Sequence, residues 1–201
     1  AVAVYMSEVA DHKIRNLMKP VIELLSGIPS VVYGFFGLIV IVPLLQRVFD
    51  LPVGESGLAG SIVLAIMALP TIITVTEDAM RNCPRAMREA SLALGASQWQ
   101  TIYKVVIPYS ISGITSGVVL GIGRAVGETM AVLMVTGNAA VIPHTILEPL
   151  RTIPATIAAE LGEAPAGGAH YEALFLLGVV LFFISLLINF TVEAVSSGKR
   201  K

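Results

Sequence analysis

Charged residues are scarce in this sequence, and their scarcity excludes most soluble folds. Only 13% of the residues are charged, while 55% are hydrophobic. A soluble domain normally has about a quarter charged residues. Apolar runs of roughly 20 residues are long enough to cross about 30 Å of hydrocarbon as helices. The sequence therefore predicts an integral membrane protein.

Cysteine and histidine are also sparse, which excludes two kinds of site. The single Cys83 cannot form an internal disulfide framework or a cysteine-based metal site. The histidines, His12, His144 and His170, lie in separate polar segments without the spacing of metal ligands. No metal or cofactor is predicted. The sequence contains no nucleophile–base pair of the kind that would indicate an enzyme.

Apolar runs predict four complete spans, at residues 30–49, 57–76, 106–136 and 173–192. Residues 1–6 are apolar but have no basic flank and no cleavage site in front of them, unlike a signal peptide. We expect them to be the end of a membrane helix in a chain that is incomplete at its N-terminus. No low-complexity linker divides the spans, so one domain is predicted over residues 1–201.

The distribution of lysine and arginine predicts the orientation of the spans, because cytoplasmic loops are enriched in both. Arg124 lies inside a span, and the segments at residues 47–56 and 137–172 contribute only Arg47 and Arg151. The other ten basic residues fall in three alternate segments: Lys13, Arg15 and Lys19; Arg81, Arg85, Arg88 and Lys104; and residues 199–201. These three segments, including the C-terminus, are predicted to be cytoplasmic.

The segment at residues 11–29 has the pattern of an amphipathic helix. Its apolar residues recur at three- and four-residue steps, and Gly27 and Pro29 are expected to end it before the next span. Such a helix either connects two spans along the inner interface or forms a gate. The pattern does not separate these functions.

The polar segment at residues 77–108 predicts two short cytoplasmic helices. Gly95 is expected to end the first in a left-handed conformation. Ser97 and Gln100 form a capping box that begins the second. Pro108 is expected to end it. Tethering at both ends disfavours a DNA-binding helix-turn-helix and favours a protrusion that docks a soluble partner.

The third span contains a glycine stripe and two charged residues. Gly113, Gly117 and Gly121 recur every four residues, which favours close helix packing. Arg124 and Glu128 are four residues apart, so we expect them to be neighbours on one helix face, directed away from lipid. They form either a structural pair or part of a solute pathway. An arginine on such a pathway favours an anion as the transported solute.

The segment at residues 77–108 also resembles a known motif. Glu89-Ala90-Ser91, followed by Gly95 and then by Ile107-Pro108, is similar to the EAA loop of ABC importer permeases. Ser91 stands where the family pattern has a second alanine. The resemblance implies that Glu89, Ala90 and Gly95 dock onto an ATP-binding subunit.

Residues 27–37 and 123–132 resemble the phosphate-specific ABC importer permeases, the PstC type more than the PstA type. This resemblance implies an all-α polytopic membrane helix bundle with the type I ABC importer permease fold and cytoplasmic coupling helices. It implies a PstA-type permease, a PstB-type ATP-binding subunit and an external PstS-type phosphate-binding protein as partners. It also implies that Arg124 and Glu128 lie on the phosphate pathway.

The segment at residues 137–172 is predicted to be an external loop with a short helix after Pro149 or Pro154. Glu148, Glu160 and Glu163 lie around this helix. The loop either docks a binding protein or caps the bundle.

For the whole chain, the rival functions are a sulfate, molybdate or amino-acid ABC permease and an ATP-independent anion transporter. An ATP-independent transporter would need no loop that docks an ATP-binding subunit.

Overall fold

The computed structural model describes the backbone of residues 1–197 and the side chains of residues 1–190. Regular structure in this part of the chain is helical, apart from an isolated bridge between Gly137 and Leu150. The basic residues 199–201, part of the orientation prediction, lie outside the described residues.

The helices are numbered in chain order, and three of them are extended by π-helical turns. The π turns are Tyr5–Val9 after α1, Gly37–Ile41 after α3 and Ile102–Val106 after α7. The α-helices are α1 (Val2–Val4), α2 (His12–Gly27), α3 (Ser30–Phe36), α4 (Val42–Val48), α5 (Gly57–Arg81), α6 (Arg85–Ala93), α7 (Gln98–Thr101), α8 (Ile107–Gly127), α9 (Met130–Val135), α10 (Ile153–Glu160) and α11 (Ala169–Ser197).

Among the described residues, four continuous helical stretches are long and apolar enough to cross a membrane. They are Ser30–Val48, Gly57–Arg81, Gln98–Gly127 and Ala169–Phe190. The predicted number of spans is confirmed, and the first, second and fourth lie close to their predicted bounds. The second stretch continues five residues beyond the predicted Thr76, to Arg81, through a polar turn that includes the buried side chain of Glu77.

The amphipathic helix predicted at residues 11–29 is confirmed as α2. It ends at Gly27, and Pro29 adopts an extended conformation with φ −57° and ψ 140° before α3 begins. Ile22 is buried, whereas Leu17 and Leu24 are each 72% exposed. The helix therefore has one packed and one open face, and the choice between connector and gate stays a hypothesis.

The prediction of one continuous helix through Thr136 is wrong. α8 ends at Gly127 and α9 begins at Met130. Glycine is a poor helix former, and the Glu128 carboxylate accepts a hydrogen bond from the Ala131 N–H at 3.1 Å. The carboxylate thus pairs with a backbone N–H at the start of α9, which favours a new helix over the continuation of α8.

The prediction that Pro108 ends its helix is also wrong. In the π turn before it, the N–H of Ile107 bonds to the carbonyl of Ile102, five residues back. The first span repeats this arrangement, because Val42 bonds to Gly37 immediately before Pro43. A wider turn leaves room for a proline ring and omits a bond that proline cannot make. Both helices therefore continue past their prolines.

The chain folds into two compact units. One contains residues 1–27 and 69–122, with the described residues from 188 onward, and the other contains residues 28–68 and 123–187. The single permease domain over residues 1–201 stays a prediction. The second unit has a core formed by α3, α4, α5 and α9, with the buried residues Tyr33, Ile41, Val42, Leu45, Ala59, Val63, Met67, Ala131 and Val135.

Close helix packing in the first unit depends on glycine. A Cβ on Gly113 would lie 2.3 Å from the Ala79 Cβ, and a Cβ on Gly117 would lie 3.2 Å from the Thr76 hydroxyl oxygen. Gly121 is buried as well. The packing function predicted for the glycine stripe is confirmed for Gly113 and Gly117, which bring α8 against α5.

Replacing Gly113 by alanine should lower the thermal unfolding temperature in detergent. The overlap with Ala79 costs about 1–3 kcal/mol as overpacking, more than the roughly 1 kcal/mol gained in helix propensity. Gly123→Ala is the matched control, because a Cβ there meets no atom within 4 Å. It should be neutral or stabilising. A higher unfolding temperature for both variants would contradict this role of Gly113 in packing.

Candidate functional site

The polar segment after α5 folds as the sequence predicts around Gly95. This glycine has φ +82°, and a Cβ on it would meet no atom within 4 Å, so its backbone conformation is what requires glycine. Ser97 accepts a bond from the Gln100 N–H at 3.3 Å, and the Gln100 side chain accepts from the Ser97 N–H at 2.8 Å. Both the left-handed cap and the capping box are confirmed.

The predicted docking residues Glu89, Ala90 and Gly95 are all exposed. No residue of α6 is buried. Leu94, immediately before the glycine turn, is 90% exposed, and Trp99 on α7 is 66% exposed. An exposed apolar surface beside a charged residue is typical of a protein interaction site.

Ser91, which departs from the EAA pattern, connects the two helices of this segment. Its hydroxyl lies 3.0 Å from the hydroxyl of Thr101, and Thr101 is 5% exposed. An alanine at position 91 could not make this hydrogen bond. The departure therefore supplies a contact between α6 and α7.

A buried carboxylate, Glu77, collects cations from two helices. Its side chain is 1% exposed; its oxygens lie 3.2 Å from Arg15 Nε, 3.0 Å from Lys19 Nζ and 3.6 Å from Arg81 Nη1. Lys19 also reaches the exposed Asp78 at 2.8 Å. Burying a charge is costly unless it is paired. The cluster therefore fixes α2 against the end of α5.

Glu77 is not among the predicted site residues, since in the sequence Arg15, Lys19 and Arg81 indicate only the orientation of the spans. An acidic residue at the end of an apolar span, one helical turn before an arginine, was the available clue. What the sequence alone does not show is that α2 folds back beside this turn.

The hydrogen bond to Asp78, and then that to Glu77, raise the pKa of Lys19 above its ordinary 10.5, against the opposing effect of partial burial. A raised pKa in the folded state stabilises the fold most fully below the unfolded value, and this contribution is lost as pH rises through the folded value. The Lys19 contacts are therefore intact at neutral pH.

Arg124 and Glu128 lie on either side of a helix end. Arg124 is in the last turn of α8, where a cation interacts favourably with the helix dipole. Glu128 follows that end, so the expected placement of both residues on one continuous helix face is wrong. Both side chains are half-buried.

The helix break lies within a largely apolar stretch of the sequence. From Ile107 to Val135, Arg124 and Glu128 are the charged residues in an otherwise uncharged run. Irregular backbone at membrane depth is tolerated where it is buried in protein or lines a water-filled cavity. A guanidinium in such a place can bind an oxyanion through paired hydrogen bonds.

The segment at residues 137–172 contains the predicted short helix as α10. It begins after Thr152, whose hydroxyl accepts from the Ala155 N–H at 3.4 Å, and Pro154 lies in its first turn. Glu160 pairs with Arg151 and with His170, which lies 3.1 Å away. Across the described residues, no three His, Cys, Asp or Glu side chains are grouped to hold a metal.

The whole chain, residues 1–201, matches the family model described as the binding-protein-dependent transport system inner membrane component. The chain belongs to this family. Together with the four apolar helices, this membership makes it a multi-pass membrane protein.

Curated relatives agree with the family. The chain is 42% identical over 198 residues to the probable ABC transporter permease protein YqgH of Bacillus subtilis, covering 98% of this chain and 64% of that protein. It is 36% identical to the phosphate transport system permease protein PstC of Pasteurella multocida, covering 93% and 64%. It is 39% identical to PstC 1 of Mycobacterium tuberculosis, covering 93% and 62%. The chain thus spans 62–64% of the length of these relatives.

Solved structures show the same fold. The inward-facing MetNI methionine ABC transporter matches with a TM-score of 0.74 at 19% identity, over 98% of this chain and 84% of that chain. A bacterial ABC transporter that imports the acidic polysaccharide alginate matches with a TM-score of 0.70 at 17% identity, over 100% and 71%. The predicted all-α ABC importer permease fold is confirmed.

Glu77→Gln should destabilise the protein strongly, because it leaves Arg15 and Arg81 without their carboxylate partner while side-chain size hardly changes. Breaking a buried charge pair costs about 3 kcal/mol or more. The matched control is Asp78→Asn, whose side chain is 53% exposed and whose loss should cost about 1 kcal/mol at most. The two variants are compared by thermal unfolding in detergent, and equal losses would contradict a stabilising role of the buried cluster.

Proposed function

We propose that this chain is the permease subunit of an ATP-driven ABC importer and forms the pathway for inorganic phosphate. The observation that carries the proposal is Arg124, a half-buried arginine beside a helix break in an apolar run. Relatives that are 36–39% identical are phosphate transport system permeases, which supports phosphate as the anion.

The chemistry of Glu128 favours phosphate over sulfate. A carboxylate near Arg124 repels an anion unless the anion has a proton to donate to it. Hydrogen phosphate has such a proton near neutral pH, whereas sulfate does not. Each carboxylate oxygen can accept more than one hydrogen bond, so the bond from the Ala131 N–H leaves Glu128 able to accept another.

In this proposal Arg124 and Glu128 neutralise each other in the closed state, and opening of the pathway frees Arg124 to meet the anion. The cost of a charge at membrane depth, roughly 2.5–3.5 kcal/mol, then opposes opening when no anion is present. Glu128 also holds the start of α9, so movement there changes the surroundings of both charged groups.

The energy for transport would come from a separate ATP-binding subunit of the PstB type. Its docking residues on this chain would be Glu89, Ala90 and Gly95, on the cytoplasmic side. The exposed α6 and the apolar side chains of Leu94 and Trp99 beside it support this assignment. A PstA-type permease and an external PstS-type phosphate-binding protein would complete the importer. The segment at residues 137–172 is the candidate contact for the latter.

Glu128→Gln tests the acceptor role, because glutamine keeps an oxygen for the Ala131 N–H but loses the charge that repels sulfate. In proteoliposomes with the complete permease and its partners, ATP-dependent phosphate uptake should become sensitive to sulfate, by about tenfold for a discrimination of 1.4 kcal/mol. Arg124→Gln should abolish uptake in the same assay.

The matched control is Asp50→Asn, at an exposed aspartate in the loop after α4, which should leave sulfate competition unchanged. If Glu128→Gln imports phosphate with the sulfate competition of the wild type, the acceptor role is wrong. If sulfate is the better substrate of the wild type, the chain is a permease for a different oxyanion.

A further inference from the structure

Burial of apolar side chains does not hold α6 in place. None of its residues is buried, and Leu94 at its end is 90% exposed. A helix of nine residues is marginal in water without tertiary contacts. Its orientation must therefore depend on polar contacts to the rest of the first unit.

Glu8, in the π turn after α1, makes contacts with both helices of the predicted docking segment. Arg88 of α6 donates from Nη1 to Glu8 Oε2 at 2.6 Å. Gln98 of α7 donates from Nε2 to the Glu8 backbone carbonyl at 3.2 Å. The side chain of Glu8 is 7% exposed and that of Arg88 is 24% exposed. This ion pair is therefore shielded from water more than a surface pair is.

Two further contacts fix the geometry of this ion pair. Arg88 also donates from Nη2 to the Met80 carbonyl at 2.8 Å, near the end of α5, where helix carbonyls lack partners within the helix. The Ser7 hydroxyl donates to Glu8 Oε1 at 2.7 Å. Arg88 thus joins the end of a membrane span, the N-terminal turn and α6 through one planar guanidinium.

We infer that Glu8 is the positioning residue of the docking segment: through Arg88 and Gln98 it holds α6 and α7 in one orientation and links their movement to the N-terminal helical turn. This inference rests on the proposed function, since it assigns the linked movement to ATP-driven transport. Glu8 does not contact the ATP-binding subunit in this scheme. It determines how rigidly the docking surface is attached to the permease.

Hydrogen–deuterium exchange of the complete chain in detergent tests the attachment directly. With Glu8→Ala, amides of residues 85–97 should exchange about tenfold faster, as expected when a shielded charge-assisted bond is lost. Glu8→Gln keeps an acceptor for Arg88 and should show a smaller increase, about threefold. Glu172→Ala, which removes an exposed glutamate, should leave residues 85–97 unchanged. Wild-type exchange in Glu8→Ala would overturn the inference.

The second readout is phosphate uptake per ATP hydrolysed in proteoliposomes. A loosely attached docking segment should still bind the ATP-binding subunit but transmit its movement poorly. Glu8→Gln should therefore lower the uptake-to-hydrolysis ratio about threefold or more, with normal co-purification of that subunit. A wild-type ratio would overturn the inference, as would loss of co-purification. Absence of ATP-dependent uptake in the wild-type complex would instead refute the proposed function, and the exchange result would stand separately.

Discussion

The carboxylate of Glu77 is buried, and the packing of α2 against the end of α5 in the first unit depends on it. The carboxylate is 1% exposed, and Arg15 and Lys19 approach it from α2. Because an unpaired buried charge is so costly, α2 has to lie beside the last turns of α5. The same constraint lets α5 continue to Arg81 as one helix although its last turns are polar.

The end of α5 then determines where the exposed helices begin. Arg88 binds the Met80 carbonyl, and Ser110 binds the Ala79 carbonyl at 3.0 Å. The span and the segment that follows it are therefore joined through carbonyl groups in the last turn of α5, where a helix leaves carbonyls free of partners within the helix. A charge cluster, a helix end and an exposed apolar surface thus form one connected structure, in which α6 remains open for a partner.

Local signals made much of this fold predictable from the sequence. Apolar runs gave the spans, and Gly95, Ser97 and Gln100 gave the turn and the start of α7, because each of these features depends on residues close together in the chain. The family motif gave the fold of the whole, which the solved ABC transporter structures confirm.

The wrong predictions concern positions where a side-chain contact or a π turn overrides the local sequence pattern. Pro108 is accommodated by a π turn, which no propensity rule indicates, and Glu128 starts a new helix where the apolar run predicts continuation. The partners of Glu77 on α2, and those of Glu8 on α6 and α7, lie far away in the sequence, up to 90 residues in the case of Gln98 and Glu8. Such interactions depend on tertiary placement, which spacing along the chain does not reveal.

In the proposed importer, the segment around Gly95 passes the energy of ATP hydrolysis to an anion pathway at Arg124. This transfer is tested by phosphate uptake of the complete permease in proteoliposomes, with and without the ATP-binding subunit, comparing the wild type with Gly95→Val. A valine at φ +82° costs about 1–2 kcal/mol in backbone strain and distorts the turn. We expect uptake only with the subunit and ATP, and we expect the variant to lose it. Uptake by the permease alone, without ATP, would contradict the proposed transfer.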